Sequence, residues 1–227
     1  MASQAPAPRT PLSRDRVLRA AVEIADADGL DAVTMRRIGE ALGAEAMSLY
    51  YHVANKNDLL DGIVDMLMAE INEAVDRLTV VNDWKAAMRH RILTARAVLL
   101  RHPWAPRLLE SRTTMRPAVV IYHDRLVGLM RSGGFSYDLA HHALHALGSR
   151  ALGFTQELFD PANAAPNPDA DARLLADLAD QIPNLAGMLA EVAHDDPDST
   201  IGWCDDQQEF EFALDLILNG LAHLATK

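Results

Sequence analysis

"TMRRIGEALGAEAMSLYYHVANKNDLLDGI", residues 34 to 63, contains the signals for three helix starts and two helix ends within thirty residues. Thr34 can cap a short helix in which Ile38 and Leu42 lie one turn apart. Gly43 ends it by supplying a backbone conformation that residues with a Cβ adopt reluctantly. The pattern predicts a third, shorter helix over about residues 45 to 51. Asn55 then caps a fourth, and Asp58, three residues on, is placed to reach back in a variant of the capping box. Leu59, Leu60, Ile63, Val64 and Leu67 give that fourth helix a strong apolar face.

Short helices on either side of a glycine-ended turn, here Leu42-Gly43-Ala44, have the dimensions of a helix-turn-helix, whose second element lies in the DNA major groove. With Leu49 and Val53 facing the core beside Ile38 and Leu42, the residues left to cover the outside are Ala46, Met47, Ser48, Tyr50, Tyr51 and His52. An exposed phenol or imidazole there can hydrogen-bond a phosphate oxygen. Lys56 sits at the start of the next helix, where free N–H groups and the helix dipole also attract phosphate. Taken alone, Tyr50-Tyr51-His52 reads more simply as half-buried packing.

Outward from this stretch, nearly every segment shows three-to-four apolar spacing, and no alternating β-branched run between turn signals predicts a strand, so the chain reads as all-α. Ser13 is placed to cap a first helix carrying Val17, Ala20 or Ala21, and Ile24, ending near Gly29. Downstream, Trp84, Met88, Ile92, Ala95 and Leu99 mark a helix that stops before Pro103. A short one is expected around 104 to 110. Val119, Tyr122, Leu126 and Leu129 mark another, closed by Gly133 and Gly134, and Ala140 to Leu158 a longer one. "PANAAPNPDAD", from Pro161, reads as a loop. Pro183 suits the first turn of a helix. A final helix over about 205 to 225 carries Phe210, Leu214, Ile217, Leu221 and Leu224 on one stripe and Phe212 and Leu216 on another. Two apolar faces on a terminal helix imply two neighbours, one of which can be another subunit.

The 227 residues suffice for one sizeable core or for a small domain plus a larger one. No apolar run is long enough for a signal peptide or a membrane span, so the expectation is a cytoplasmic protein with no membrane partner. Cys204 is the only cysteine, which excludes an internal disulfide and any zinc site of several thiolates. The net charge of -11 opposes phosphate at long range, but the first sixty residues hold seven basic and eight acidic side chains, so the acid lies mainly downstream.

The opening stretch resembles the DNA-binding signature of the TetR family of bacterial transcriptional regulators, in which a short second helix, a glycine turn and a "LYxHxxxKxxLL" segment recur together. "GFSYDLAHHALHALGSRALGF" and the closing helix are similar, less specifically, to the tetracycline-repressor-type C-terminal domain. The resemblance implies an N-terminal helix-turn-helix domain plus a larger helical ligand-binding and dimerisation domain. Here that means a flexible arm over 1–12, the DNA-binding domain over 13–55 and the helical domain over 56–227, with helix 56–74 as the link. The implied partners are a double-stranded DNA operator, a small-molecule effector and a second copy of the chain in a homodimer.

Carried over residue by residue, the resemblance puts Arg36 where it can enter the major groove and Ala46, Met47 and Ser48 at the base-reading tip. Tyr50, Tyr51, His52 and Lys56 would hold mostly backbone, with Tyr51 and Thr34 able to touch a base edge. Arg36 suits the two acceptors of guanine, whereas Ala46 and Met47 offer only apolar contact, for instance to a thymine methyl. With few polar base readers, DNA shape has a share in specificity. In tetracycline-binding members a magnesium-coordinating histidine falls at Leu109 of this sequence and a drug-contacting histidine at Asn72. Glu157 matches an acidic metal-linked position, but one carboxylate is a poor magnesium site. The expectation is no metal and no cofactor, with an apolar or amphipathic effector and Met88, Trp104, Met115 and Phe154 as lining; each of these also reads as an ordinary core residue.

Other constellations are weaker. His141, His142 and His145 include an i, i+4 pair, but the glutamate of "HExxH" is missing, and they read as histidines of a half-exposed or interfacial helix. "DDQQE", from Asp205, has no second acidic motif and suits a helix N-terminus. No phosphate-binding "GxxxxGK" and no "GxSxG" occurs. The resemblance therefore implies a ligand-responsive DNA-binding regulator, a repressor released by a small molecule. The alternative is an all-helical enzyme or small-ligand carrier.

Overall fold

The computed structural model describes residues 11–77, 83–112, 116–153, 173, 177–178, 180–192 and 206–225. Among these the chain is all-α. In order run α1 (Arg14–Asp28), a 3-10 turn (Leu30–Ala32), α2 (Met35–Leu42), α3 (Ala46–Leu49), α4 (Lys56–Asp76), α5 (Trp84–Arg101), α6 (Ala105–Ser111), α7 (Pro117–Ser132), α8 (Tyr137–Gly153), α9 (Pro183–Val192) and α10 (Asp206–Ala225). Ser13, Thr34 and Asn55 cap α1, α2 and α4, each accepting a bond from the backbone N–H three residues on. Asp83 does the same for α5, from Lys85 and Ala86. These caps turn the boundaries expected from the sequence into hydrogen bonds.

Packing divides the chain after Gly133. In the first unit α4 is the central element and lies against α1, α5, α6 and α7, while α1 packs on α2 and α2 on α3. One apolar core runs through it, from Val17, Ala21, Ile38 and Leu49 through Leu59, Ile63 and Leu67 to Val98, Trp104 and Leu108. The expected division at residues 55/56 falls inside this first packed unit. In the second unit α8 packs on α10.

Three expectations are corrected. The third helix spans only Ala46–Leu49 and continues as a tight turn, with Tyr50 N–H donating to Met47 O and Tyr51 N–H to Ser48 O at 3.4 Å each. On α10 the buried stripe is Phe210, Leu214, Leu218 and Leu221, a run of four-, four- and three-residue steps; Ile217 lies on its flank and Leu224 is half exposed. Phe212 and Leu216 are exposed on the other side. Asp58 reaches past the cap residue to the N–H of Ala54, at 2.8 Å. The expected 1–12 arm is outside the described residues up to residue 10, and so are the loop from Pro161 and the end of the long helix beyond residue 153.

Candidate functional site

A short helix can present side chains outward only if its own backbone is held. Leu49 and Val53 are fully buried beside Ile38. Gly43 has φ 62°, and its N–H bonds back to Glu40 O at 3.3 Å. Gly39, buried on α2, is where the turn comes closest: a Cβ there would stand 2.7 Å from the carbonyl oxygen of Ala44 and 3.3 Å from the nitrogen of Ala46. No methyl group fits, so α3 is seated directly on α2.

The far side of α3 is held by Arg14. Its Nη1 donates to the carbonyl of His52 and to Asp58 Oδ2, both at 2.9 Å, and its Nη2 donates to Asp58 Oδ1 at 2.7 Å. Asp58 N–H donates to Asn55 Oδ1 at 2.9 Å. One carboxylate therefore ties α1, the turn after α3 and the start of α4 together. Hydrogen bonds from Arg14 and then from the Ala54 amide lower the Asp58 carboxyl to about 2.

On this frame three of the six predicted outer residues, Met47, Tyr50 and Tyr51, are exposed. Met47 is 72 % exposed, Tyr51 91 % and Tyr50 45 %; Lys56 is exposed, while Ala46, Ser48 and His52 are partly covered. Tyr51 in particular is not packing. Ser48 Oγ donates to Glu45 O at 2.6 Å, which keeps its lone pairs for a partner. Thr34 is exposed, with its Oγ1 accepting from the Arg37 N–H. Arg36, at 87 % side-chain exposure, pairs with Glu40 through Nε at 2.9 Å, leaving its two terminal nitrogens without a partner among the described residues. Other arginines are engaged internally, Arg19 with Asp15 and Arg37 with Asp28. The surface offered to a polyanion is accordingly narrower than the arginine count implies.

Among the residues expected around a ligand, Met88 is fully buried and Leu109 half buried against the core. Trp104 is buried, and its indole N–H donates to Asp26 Oδ1 at 2.7 Å, so its polar edge is turned to α1. Met115, Phe154 and Glu157 lie outside the described residues. Asn72 and Leu109, at the two positions matched to histidines, leave an amide and an alkyl chain there. His141 and His145 form an exposed edge-on pair with ring centroids 4.7 Å apart.

A second polar group lies inside the unit and was not foreseen. Arg91 on α5 buries Nε and Nη2 with no hydrogen-bond partner among the described residues, and Asn72 on α4 buries Oδ1 likewise. The Arg91 Cζ stands 5.8 Å from the ring centroid of Tyr122 on α7. Burial pushes the Tyr122 phenol up to about 12. The signal for Arg91 was its place: three residues after Met88 and four before Ala95, on the apolar stripe of α5.

The family profile "Bacterial regulatory proteins, tetR family" matches residues 17–63. The profile "Tetracyclin repressor-like, C-terminal domain" matches residues 80–225. This chain belongs to the tetR family. Its relatives include the HTH-type transcriptional repressor DrrR1 of Streptomyces coeruleorubidus, 30% identical over 227 residues, which cover 97% of this chain and 81% of that protein. Tetracycline repressor protein class C of Escherichia coli is 28% identical over 214 residues, 92% of this chain and 90% of that one. The crystal structure of apo ActR from Streptomyces coelicolor, 28% identical, matches with a TM-score of 0.76 over 96% of this chain and 98% of that chain. ActR has also been solved in complex with actinorhodin.

As a tetR-family member the chain is a DNA-binding transcriptional regulator, and the turn between α2 and α3 lies inside the DNA-binding profile. The residues that sequence reasoning missed are those that hold α3 and the turn after it in place: Gly39, Arg14 and Asp58 in its role toward Arg14. Arg14 and Asp58 are 44 positions apart, and no local pattern pairs them.

Proposed function

We propose that this tetR-family regulator is a cytoplasmic homodimer that represses by occupying an operator and leaves it when a small molecule binds among α4, α5, α6 and α7. One observation carries the DNA role: Met47, Tyr50, Tyr51 and Lys56 project from a backbone that Gly39, Leu49, Val53 and the Arg14–Asp58 pair hold fixed. In this reading Ala46, Met47 and Ser48 approach base edges, Arg36 reads a guanine, and Tyr50, Tyr51, His52, Thr34 and Lys56 hold mainly the backbone.

A dimer meets successive major grooves only if its two reading helices stand about 34–36 Å apart. An effector that binds better to another separation lowers DNA affinity without touching DNA, and α4, which begins at Lys56 and runs through the centre of the unit, is the link. The exposed Phe212 and Leu216 on α10 support a second copy as the neighbour of that face. Leu109 and Asn72 argue against a magnesium–tetracycline complex; an apolar or amphipathic effector against Met88 and Leu109 fits better. Regulation rather than catalysis is the activity proposed.

The test is retardation of DNA from upstream of the chain's own coding sequence, with salt and effector candidates varied. Salt-sensitive, saturable binding by a species of twice the chain mass is expected. A monomer, or retardation indifferent to salt and sequence, would sink the proposal.

A further inference from the structure

A guanidinium sealed from water and left without an acceptor is costly, because charge is taken out of solvent with nothing gained in return. On Arg91, a side chain that is otherwise only half buried, the Nε and Nη2 edge is in that condition. The Tyr122 ring at 5.8 Å gives partial compensation through its face. Asp76, the carboxylate whose charge acts on Arg91, is already held by Arg125 at 2.6 and 2.8 Å, and the Arg125 charge itself opposes that of Arg91. The two bare nitrogens are Nε and Nη2, the pair whose N–H bonds run parallel along one edge of the guanidinium. That edge matches the two oxygens of a carboxylate.

Asn72 lies one turn before Asp76 on α4. Its Nδ2 donates to the carbonyl of Ala118 at 3.3 Å, which fixes the amide's orientation and leaves Oδ1 as a buried acceptor lacking a donor. Ala118 is one turn before Tyr122 on α7. Helix α7 thus meets the unmet acceptor of α4 at Ala118 and, one turn on, the unmet cation edge of α5 at Tyr122. The Tyr122 hydroxyl, neutral at pH 7 in any setting and pushed further up by burial, adds no anion of its own.

Resting on the effector reading above, we infer that the effector is an aromatic carboxylic acid whose carboxylate is received side-on by the Nε and Nη2 edge of Arg91. A single positive charge suits a single negative one; a phosphate, with up to two charges, would need a second free cation, and Arg125 is spent on Asp76. The Tyr122 face adds apolar contact for the ring system.

The test uses the full chain and needs no DNA. Thermal denaturation is followed with benzoate, 2-naphthoate, 3-hydroxy-2-naphthoate and anthracene-2-carboxylate, each against its amide. At a concentration on the order of a hundredfold above Kd, at least one acid raises Tm by about 5 °C while its amide does not. Arg91→Met weakens that acid about 10- to 100-fold, and melts without ligand at or above the wild-type temperature because an unpaired buried charge is gone. Amides equal to acids throughout the series would mean that solvent alone fills the position, and would overturn the inference. So would an Arg91→Met variant that binds the acid as wild type does. A lower ligand-free Tm for that variant would reveal a partner already within the chain and would overturn the inference as well. Retardation of upstream DNA by the same ligand-free samples tests the regulator reading separately, since its loss leaves the melting result intact.

Discussion

The outer surface of α3 and the interior between α4, α5 and α7 treat polar groups in opposite ways. Around α3 the groups offered to a partner stay in water, where being unpaired costs nothing, and the buried groups behind them are apolar or doubly bonded. Between α4, α5 and α7 polar atoms are buried and bare. A polyanion arrives with its own charge field and is gripped by many weak contacts, so its site has to be rigid in shape and solvated in chemistry. A small molecule brings few atoms, so each polar group awaiting it must be desolvated beforehand if it is to discriminate.

The sharpest way to break this contrast is at Gly39. Gly39→Val places carbon within 3 Å of the Ala44 carbonyl, so α3 must shift; DNA affinity falls by more than about 100-fold, while overpacking costs about 1–3 kcal/mol of stability. Fluorescence anisotropy and thermal melting read the two effects, and unchanged DNA affinity would separate the reading surface from its seat.

Next in size, Arg36→Ala relaxes discrimination at one base pair per half-site by about 1–3 kcal/mol. Binding to a set of single-base operator variants measures it, and an equal loss on every sequence refutes a base contact. Asp58→Asn costs about 1–2 kcal/mol of stability, since the charged hydrogen bond is partly exposed. The sign follows from the lowered carboxyl: the wild type holds this contribution above about pH 4 and loses it as pH falls toward about 2, while the variant lacks it throughout. Urea titrations between pH 2 and 6 show the difference. The smallest effect is Lys56→Ala, which weakens all sequences alike and reduces the salt slope by about one ion per subunit, read from affinities at several salt concentrations.

Much of this was legible in residues 34 to 63, because capping and glycine turns are local: Thr34, Gly43 and Asn55 do what their neighbours of one to four positions dictate. The exposure of Tyr51 followed from the same phase, once Leu49 and Val53 were turned inward. What escaped was non-local. Asp58 serves Arg14 from another helix. Gly39 matters for what passes over it. Ile217 and Leu218 are both apolar, and only packing on α8 distinguishes stripe from flank. Arg91 was overlooked for a different reason: a charged residue on an apolar stripe is easily read as snorkelling to the edge.

At the end of α1 opposite Arg14, Asp26 accepts from Trp104 and faces His102 Nδ1, both at 2.7 Å, while His102 Nε2 faces Glu70 at 3.3 Å. The first helix is therefore pinned twice, with about 18 Å between Arg14 and Asp26 at helical rise. A displacement of about 1 Å where α5 meets α6 swings such an arm by roughly 3° about its Arg14 fulcrum. The lever needs no long-range wire, only one carboxylate that follows an indole and an imidazole wherever they go.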